Sequence, residues 1–230
     1  MPKIDKSLYT KEQYKQLKQD KKFKKIQERS KKVAGAKTAY VIGNGTSRSG
    51  ISINGLSKHG VVYGCNAIYR DCTPDFLIAV DVKMILEINK SGYSKNHQVW
   101  TNYNKAYENF DNLNYFKPSK GWSSGPTALW MATQQGYDVI YILGFDYQGL
   151  QNGTKFNNIF ADTENYKRST DGATFYGNWL RQTKTVIEQN PKVQFVRVID
   201  HNTFMPSELD KFKNLKIMHK DVFLNIHPGM

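Results

Sequence analysis

The segment 123-SSGPTALWMATQQGYDVIYILGFD-146 packs a helix, its stop and a buried strand into 24 residues. Ser123 and Ser124 are small polar residues of the kind that open helices, and Pro126 suits a first turn, where its missing N–H is not needed. No breaker follows until Gly136, which ends helices because it tolerates left-handed backbone. Asp138 to Leu143 (DVIYIL) is then a near-continuous apolar strand, too apolar for a sheet with one wet face. Such strands alternating with helices predict a mostly parallel sheet covered by helices on both faces, an α/β protein.

The same alternation recurs on either side. TAYVIG (38–43), GVVYGC (60–65), FLIAV (76–80) and HQVWT (97–101) read as strands, with 113–116 as an edge piece. Residues 82–89 have helical spacing through Met84, Ile85 and Ile88, and 175–189 predict a second long helix. VQFVRV (193–198) reads as a last central strand and 215–218 as a late edge. The expected organisation is a single α/β domain over 38–230. Its polar loops at 102–122 and 147–172 far exceed the ~4–6 residues of an ordinary connection and suit binding loops or lids.

Residues 1–37 differ in kind. The chain carries 33 Lys and Arg against 20 Asp and Glu, a net charge of +13, and 13 of the basic and 4 of the acidic residues precede Thr38. That segment alone therefore holds +9. Thr10 with Gln13 is a capping box and nothing breaks 9–32, so a basic helical arm is expected. Lysine at this density suits a polyanion, DNA ahead of peripheral contact with an anionic membrane, while the same lysines also fit a solvated face. No apolar run approaches the ~20 residues of a membrane span, and no signal-peptide core follows the N-terminus. Cys65 and Cys72 are too few for a disulfide framework or a zinc site and read as reduced thiols of a cytoplasmic protein.

In an open parallel sheet, ligands bind beyond the carboxyl ends of the strands, and the candidate chemistry falls there. Gly43-Asn44-Gly45-Thr46-Ser47 follows the first strand, with amides and hydroxyls suited to a phosphate and Arg48 adding charge. It is not a dinucleotide fingerprint, since the next glycine is Gly50 and no acidic residue stands ~20 positions on. Asn66 closes the second strand with a donor and an acceptor for a ribose or base. Asp81 closes the third and fits a general base or hydroxyl ligand, or equally the N-cap of the helix that follows. Ser124 and Gly125 stand at a helix N-terminus, where free N–H groups favour an anion or a base carbonyl. Asp146 fits a site residue or a brace for neighbouring loop amides. Lys155, Tyr166, Lys167 and Arg168 suit a leaving phosphate or a solvated surface, and Asp171 is the second candidate base. His59, His97, His201, His219 and His227 lie outside these motifs, HExxH and DxD are absent, and no metal is expected.

Ile42-Gly-Asn-Gly-Thr-Ser47, Gly64-Cys-Asn66 and the 123–146 block, in this order and spacing, resemble the bacterial family-42 sialyltransferases and the related pterin-pyrophosphokinase-like Rossmann proteins, over residues 38 to about 175. The resemblance implies a Rossmann-like (GT-A-like) nucleotide-binding domain with a smaller lid-like part. It also implies inverting, metal-independent transfer of sialic acid from a CMP donor. By resemblance Gly43, Asn44 and Gly45 would face the donor phosphate and Asn66 the nucleotide. Ser124 and Gly125 would line the cytidine or ribose pocket, and Asp146 would close the strand beside it. The chain also departs from the family. Residues 165–175 hold no histidine where the catalytic one falls, no arginine directly precedes the Ser-Gly pair, and Phe156 stands in place of a phosphate-binding tyrosine.

The expected function is accordingly a glycosyltransferase of altered specificity. It would move a sugar from a nucleotide-sugar donor (UDP-, CMP- or similar) to a hydroxyl by single displacement, with Asp81 or Asp171 as base and no tightly bound cofactor. The basic arm makes DNA a candidate acceptor, by analogy with enzymes that glycosylate modified bases of bacteriophage and other viral genomes. A glycan acceptor is the alternative. A non-enzymatic nucleic-acid-binding protein on the same scaffold is the third reading, and the absent histidine counts towards it.

Overall fold

The structure, a computed structural model, describes residues 37–229. The expected helical arm, with its capping box at Thr10, lies outside the described residues. In chain order the elements are β1 (Thr38–Ile42), α1 (Ile53–Leu56), β2 (Val61–Cys65), β3 (Phe76–Ile78), α2 (Val82–Lys90), β4 (Val99–Asn102), β5 (Leu113–Phe116), α3 (Ser124–Thr133), β6 (Val139–Leu143), α4 (Gly177–Gln189), β7 (Gln194–Ile199), β8 (Leu215–His219) and α5 (Lys220–Ile226). The eight strands form one sheet in the order β5-β4-β3-β2-β1-β6-β7-β8, and every pairing is parallel. This is a Rossmann-like α/β sheet in the general sense. β7 is the last strand with a neighbour on each side, and β8 forms the edge beyond it.

Alternation along the strands builds two cores. Ala39 and Val41 of β1 join Ala128, Leu129 and Ala132 of α3 and Val186 and Ile187 of α4 on one face. Tyr40 and Ile42 join Leu56 of α1, Met84, Ile85 and Ile88 of α2 and Phe223 of α5 on the other. β1, buried along its whole length, feeds both cores, as do its neighbours β2 and β6.

Several expectations need correction. Within 102–122 the expected edge piece is present as β5, and a 3-10 turn at Lys105–Tyr107 gives the rest more local structure than a long loop. Residues 147–172 are also ordered, through a helical turn at Leu150–Gly153 and antiparallel bridges from Lys155 to Leu150 and Gly172. Ser123 occupies the N-cap position of α3 without a side-chain cap bond. α1 and α5 lie outside the expected elements: the first spans four residues, and in the second Phe223 alone is buried.

α5 is fastened to the centre of the sheet by a buried contact. Tyr40 Oη lies 2.8 Å from His227 Nε2, and His227 Nδ1 lies 2.9 Å from the Phe223 carbonyl. A carbonyl can only accept, so Nδ1 carries the ring proton and Nε2 accepts from the tyrosine hydroxyl. Burial, with the His59 ring beside it, holds His227 below the ordinary histidine value. The folded state therefore prefers the neutral ring. Its stabilising contribution is complete above the unfolded value of ~6.5 and is lost as pH falls through 6.5 towards the lower folded value. Urea midpoints at about pH 7.5 and about pH 5.5 test this. The wild type should lose stability between them, and His227→Gln should cost about 1 kcal/mol at the higher pH while flattening the difference.

Candidate functional site

The strand order reverses at β1, whose continuation β2 lies on one side while β6 lies on the other. The loops leaving β1 and β6 meet there backbone to backbone. Gly43 N–H donates to the Leu143 carbonyl at 2.8 Å, and Gly45 N–H to the Gly144 carbonyl at 3.0 Å. A Cβ on Gly43 would fall 2.6 Å from Gly144 O, and one on Gly45 would fall 2.5 Å from Asp146 Oδ2. These glycines serve the approach of one loop to the other. The amides beyond them are also engaged, Thr46 N–H with Asn157 Oδ1 at 2.9 Å and Ser47 N–H with Asp146 Oδ2 at 3.1 Å. The expected phosphate cradle of Gly43 to Ser47 is thus corrected: four of its five amides donate within the protein.

Two buried arginines clamp the paired loops. Arg48, 5% exposed, donates from Nε to the Gly43 carbonyl at 2.8 Å and from Nη2 to Asn44 Oδ1 at 3.3 Å. Arg197, 1% exposed, donates from Nε to the Phe145 carbonyl at 3.1 Å and from Nη2 to the Phe204 carbonyl at 2.8 Å, with its guanidinium 4.9 Å from the Tyr147 ring centroid. Neither forms an ion pair among the described residues. Burial lowers both pKa values, yet a guanidinium stays charged. Arg48, expected to offer its charge to a ligand, is a buried strut. Asp146 is likewise a brace, its carboxylate accepting from Ser47 N–H, from Ser47 Oγ and from Asn157 Nδ2 at 3.1 Å.

Beside these loops opens a cleft with a cavity volume of about 170 Å³. That is below the ~300–1,000 Å³ of sites that enclose a whole drug-sized ligand, so the enclosed part suits one ring, with the remainder at the mouth. Gly43, Asn44, Gly45, Asn66, Asp81, Ser124, Gly125 and Asp146 all line it. Asn66, held at φ 52°, accepts at Oδ1 from Ser124 Oγ at 2.8 Å, and Ser124 Oγ accepts from Val80 N–H at 3.1 Å. This chain orients the Asn66 amide and leaves its Nδ2 without a protein partner among the described residues. Ser124 and Gly125 present the first N–H groups of α3, which have no intrahelical acceptor. Asp81 sits at the N-cap position of α2 but makes no cap bond. Its accessible carboxylate faces the cleft, and the protein around it raises its pKa by desolvation. Cys65, also on the wall, is no nucleophile, because burial pushes its thiol up to about 12.

The remaining candidates stand elsewhere. Thr46 and Ser47 line a different cavity. Lys155 Nζ is bound to the Thr170 carbonyl at 2.8 Å, and Lys167 Nζ reaches the Gly172 carbonyl at 3.4 Å. Asp171 accepts from Arg168 N–H at 2.8 Å and closes its own exposed turn, so the structure does not bring this second candidate base to the cleft. Arg168 is exposed and lines neither cavity. Tyr166 Oη accepts from Ala67 N–H at 3.4 Å, behind the Asn66 turn, and burial pushes its hydroxyl up to about 12. Asn157, Asn158, Tyr176 and Trp179 also line the cleft and escape the sequence reading. The spacing of Tyr176 and Trp179 at the head of a helix is a usable signal, since it sets two aromatics on one face.

No family model, curated protein or solved structure matches the chain. Among the described residues no helix is long and apolar enough to cross a membrane, and no three His, Cys, Asp or Glu side chains are grouped to hold a metal ion.

The loop contact predicts a contrast between two glycines. Gly45→Ala should lower the unfolding free energy by about 1–3 kcal/mol, as forced overpacking does. Gly172→Ala, where an added Cβ meets nothing within 4 Å, should be neutral or slightly stabilising in the same denaturant titration.

Proposed function

We propose that the cleft seats a nucleotide-linked donor and that the protein transfers its sugar to a hydroxyl acceptor, in the manner of a GT-A-like glycosyltransferase. The observation that carries this reading is the carboxylate of Asp81, unpartnered among the described residues, sharing one cavity at the strand-order reversal with the pre-oriented Asn66–Ser124 pair. Asn66 Nδ2 would donate to the nucleoside, and the faces of Tyr176 and Trp179 would pack on its ring. The acceptor oxygen attacks the anomeric carbon as its proton passes to Asp81, a stronger base than an ordinary aspartate. The bond to the phosphate oxygen breaks with its electron pair, and the first amides of α3 meet the developing charge. No Lys, Arg or His lines the cleft among the described residues, which favours a monophosphate leaving group of the CMP type over a more highly charged diphosphate. The free thiols of Cys65 and Cys72 suit a reducing, cytoplasmic compartment.

Thermal-shift titration with CMP, UDP, GDP and dTDP tests the reading, because a ligand that binds the folded state raises the midpoint. CMP should give the largest rise, and Asn66→Ala should shrink it. Asp81→Asn should keep the rise while lowering transfer from the matching nucleotide sugar by about 10²–10⁴-fold. A chain whose midpoint ignores all four nucleotides would overturn the assignment.

The acceptor we propose is DNA, from the +9 carried by residues 1–37. Replacing Lys21, Lys22, Lys24 and Lys25 together by Gln should weaken duplex binding and flatten its salt dependence, by about 0.9 in log–log slope for each phosphate no longer neutralised. Donor hydrolysis should be unaffected. Unchanged binding would leave a glycan as the acceptor.

A further inference from the structure

Behind the wall formed by Asp146 and Asn157, which line both spaces, lies a second cavity of about 610 Å³. It opens at the carboxyl ends of β1, β6 and β7. Its lining includes Gln148, Gln151, Asn152, Asn202, Thr203 and Phe204, and among the described residues no Lys, Arg or His. The two carboxylates on its wall are already engaged. Asp146 is held by Ser47 and Asn157, and Asp200 by Lys220 Nζ at 2.6 Å. What remains is a neutral surface of amides and a hydroxyl beside an aromatic ring, with Phe204 39% exposed.

The side-chain amides of Gln148, Gln151, Asn152 and Asn202 have no protein partner among the described residues. The backbone adds an independent observation. Gln151 and Asn152 sit consecutively in the left-handed region, at φ/ψ of 50°/62° and 57°/35°. Glycine is the low-cost occupant there, and glutamine has no local bond that favours it. Asparagine adopts this region readily, so it is Gln151 whose amide is held on this rim against backbone preference, a pattern that clusters at functional surfaces.

We propose that this cavity binds a neutral saccharide. A sugar hydroxyl is both donor and acceptor, as is each amide, and the apolar C–H face of a pyranose matches an exposed ring. Without a cation on the wall, phosphate and nucleic-acid backbone are disfavoured. The proposal goes beyond the reading of the cleft and stands without it.

The test uses the full-length ¹⁵N-labelled protein and follows the side-chain amide resonances of Gln148, Gln151, Asn152 and Asn202. The probes are the methyl glycosides of glucose, galactose and N-acetylglucosamine, with inorganic phosphate and CMP as controls. At least one glycoside should shift these signals in a saturable way, and neither control should. Asn202→Ala and Phe204→Ala should each weaken the glycoside by about tenfold, as expected when one hydrogen bond or one ring face is taken away. The Phe204 main chain also serves Arg197, so Gln151→Gly provides a second variant: it should weaken binding without lowering the thermal midpoint, since glycine relieves the strained backbone. The assignment is overturned if none of the glycosides shifts the signals, if phosphate or CMP does, or if Gln151→Gly and Asn202→Ala bind as the wild type does.

Discussion

The meeting of two glycine loops at the strand-order reversal is the constraint from which the rest of the molecule follows. Loops that approach within hydrogen-bonding distance along their backbones leave carbonyls facing inward, and an inward carbonyl without a donor is costly. Arg48 supplies the donor for Gly43 and Arg197 the donor for Phe145, one from each side of the contact. Burying a guanidinium without a direct ion-pair partner is expensive in itself. Several fixed acceptors offset that cost: Gly43 and Asn44 of the loop after β1 for Arg48, and Phe145 and Phe204 of the loops after β6 and β7 for Arg197. Arginine and loop thus hold each other in position.

This arrangement divides the labour among the strand ends. The loops after β1 and β6 satisfy one another and form the rigid floor. The ends of β2 and β3 and the head of α3 keep groups to spare: the Asn66 amide, the Asp81 carboxylate and the first amides of the helix. A floor whose amides are mostly spent beside a rim with several free groups is the arrangement a pre-organised site requires, because the rim can face a ligand without the floor rearranging.

Most of the architecture was legible in the sequence. The 123–146 block announces a helix and a buried strand through Pro126, Gly136 and six residues of DVIYIL, and the other strands read as runs of the same kind, with 215–218 carrying the weakest signal. The site was legible to the extent that small or polar residues end those runs, as at Gly43, Asn66, Asp81 and Asp146. Spacing could not say whether a group is spent within the protein. Nothing local distinguishes Asp146, bound to Ser47 and Asn157, from Asp81, whose carboxylate has no partner among the described residues, because the partners of Asp146 stand 99 and 11 residues away. Asp171 misled differently: its carboxylate is spent locally, on the Arg168 N–H of its own turn. Tyr176 and Trp179 were hidden by their place in a segment whose apolar residues suit a core.

The central position of β1 bears on how the chain comes into being. It is the first strand of the described fold, yet it pairs with β6, whose register begins at Thr38 opposite Val139, with Lys37 and Asp138 101 positions apart. At a synthesis rate of ~5–20 residues per second, one edge of β1 waits on the order of 5–20 s after emerging before its second neighbour exists. Throughout that interval β1 to β5 make a growing parallel half-sheet whose open border is β1, a strand buried along its whole length in the finished fold, the kind of edge that invites mispairing with another chain.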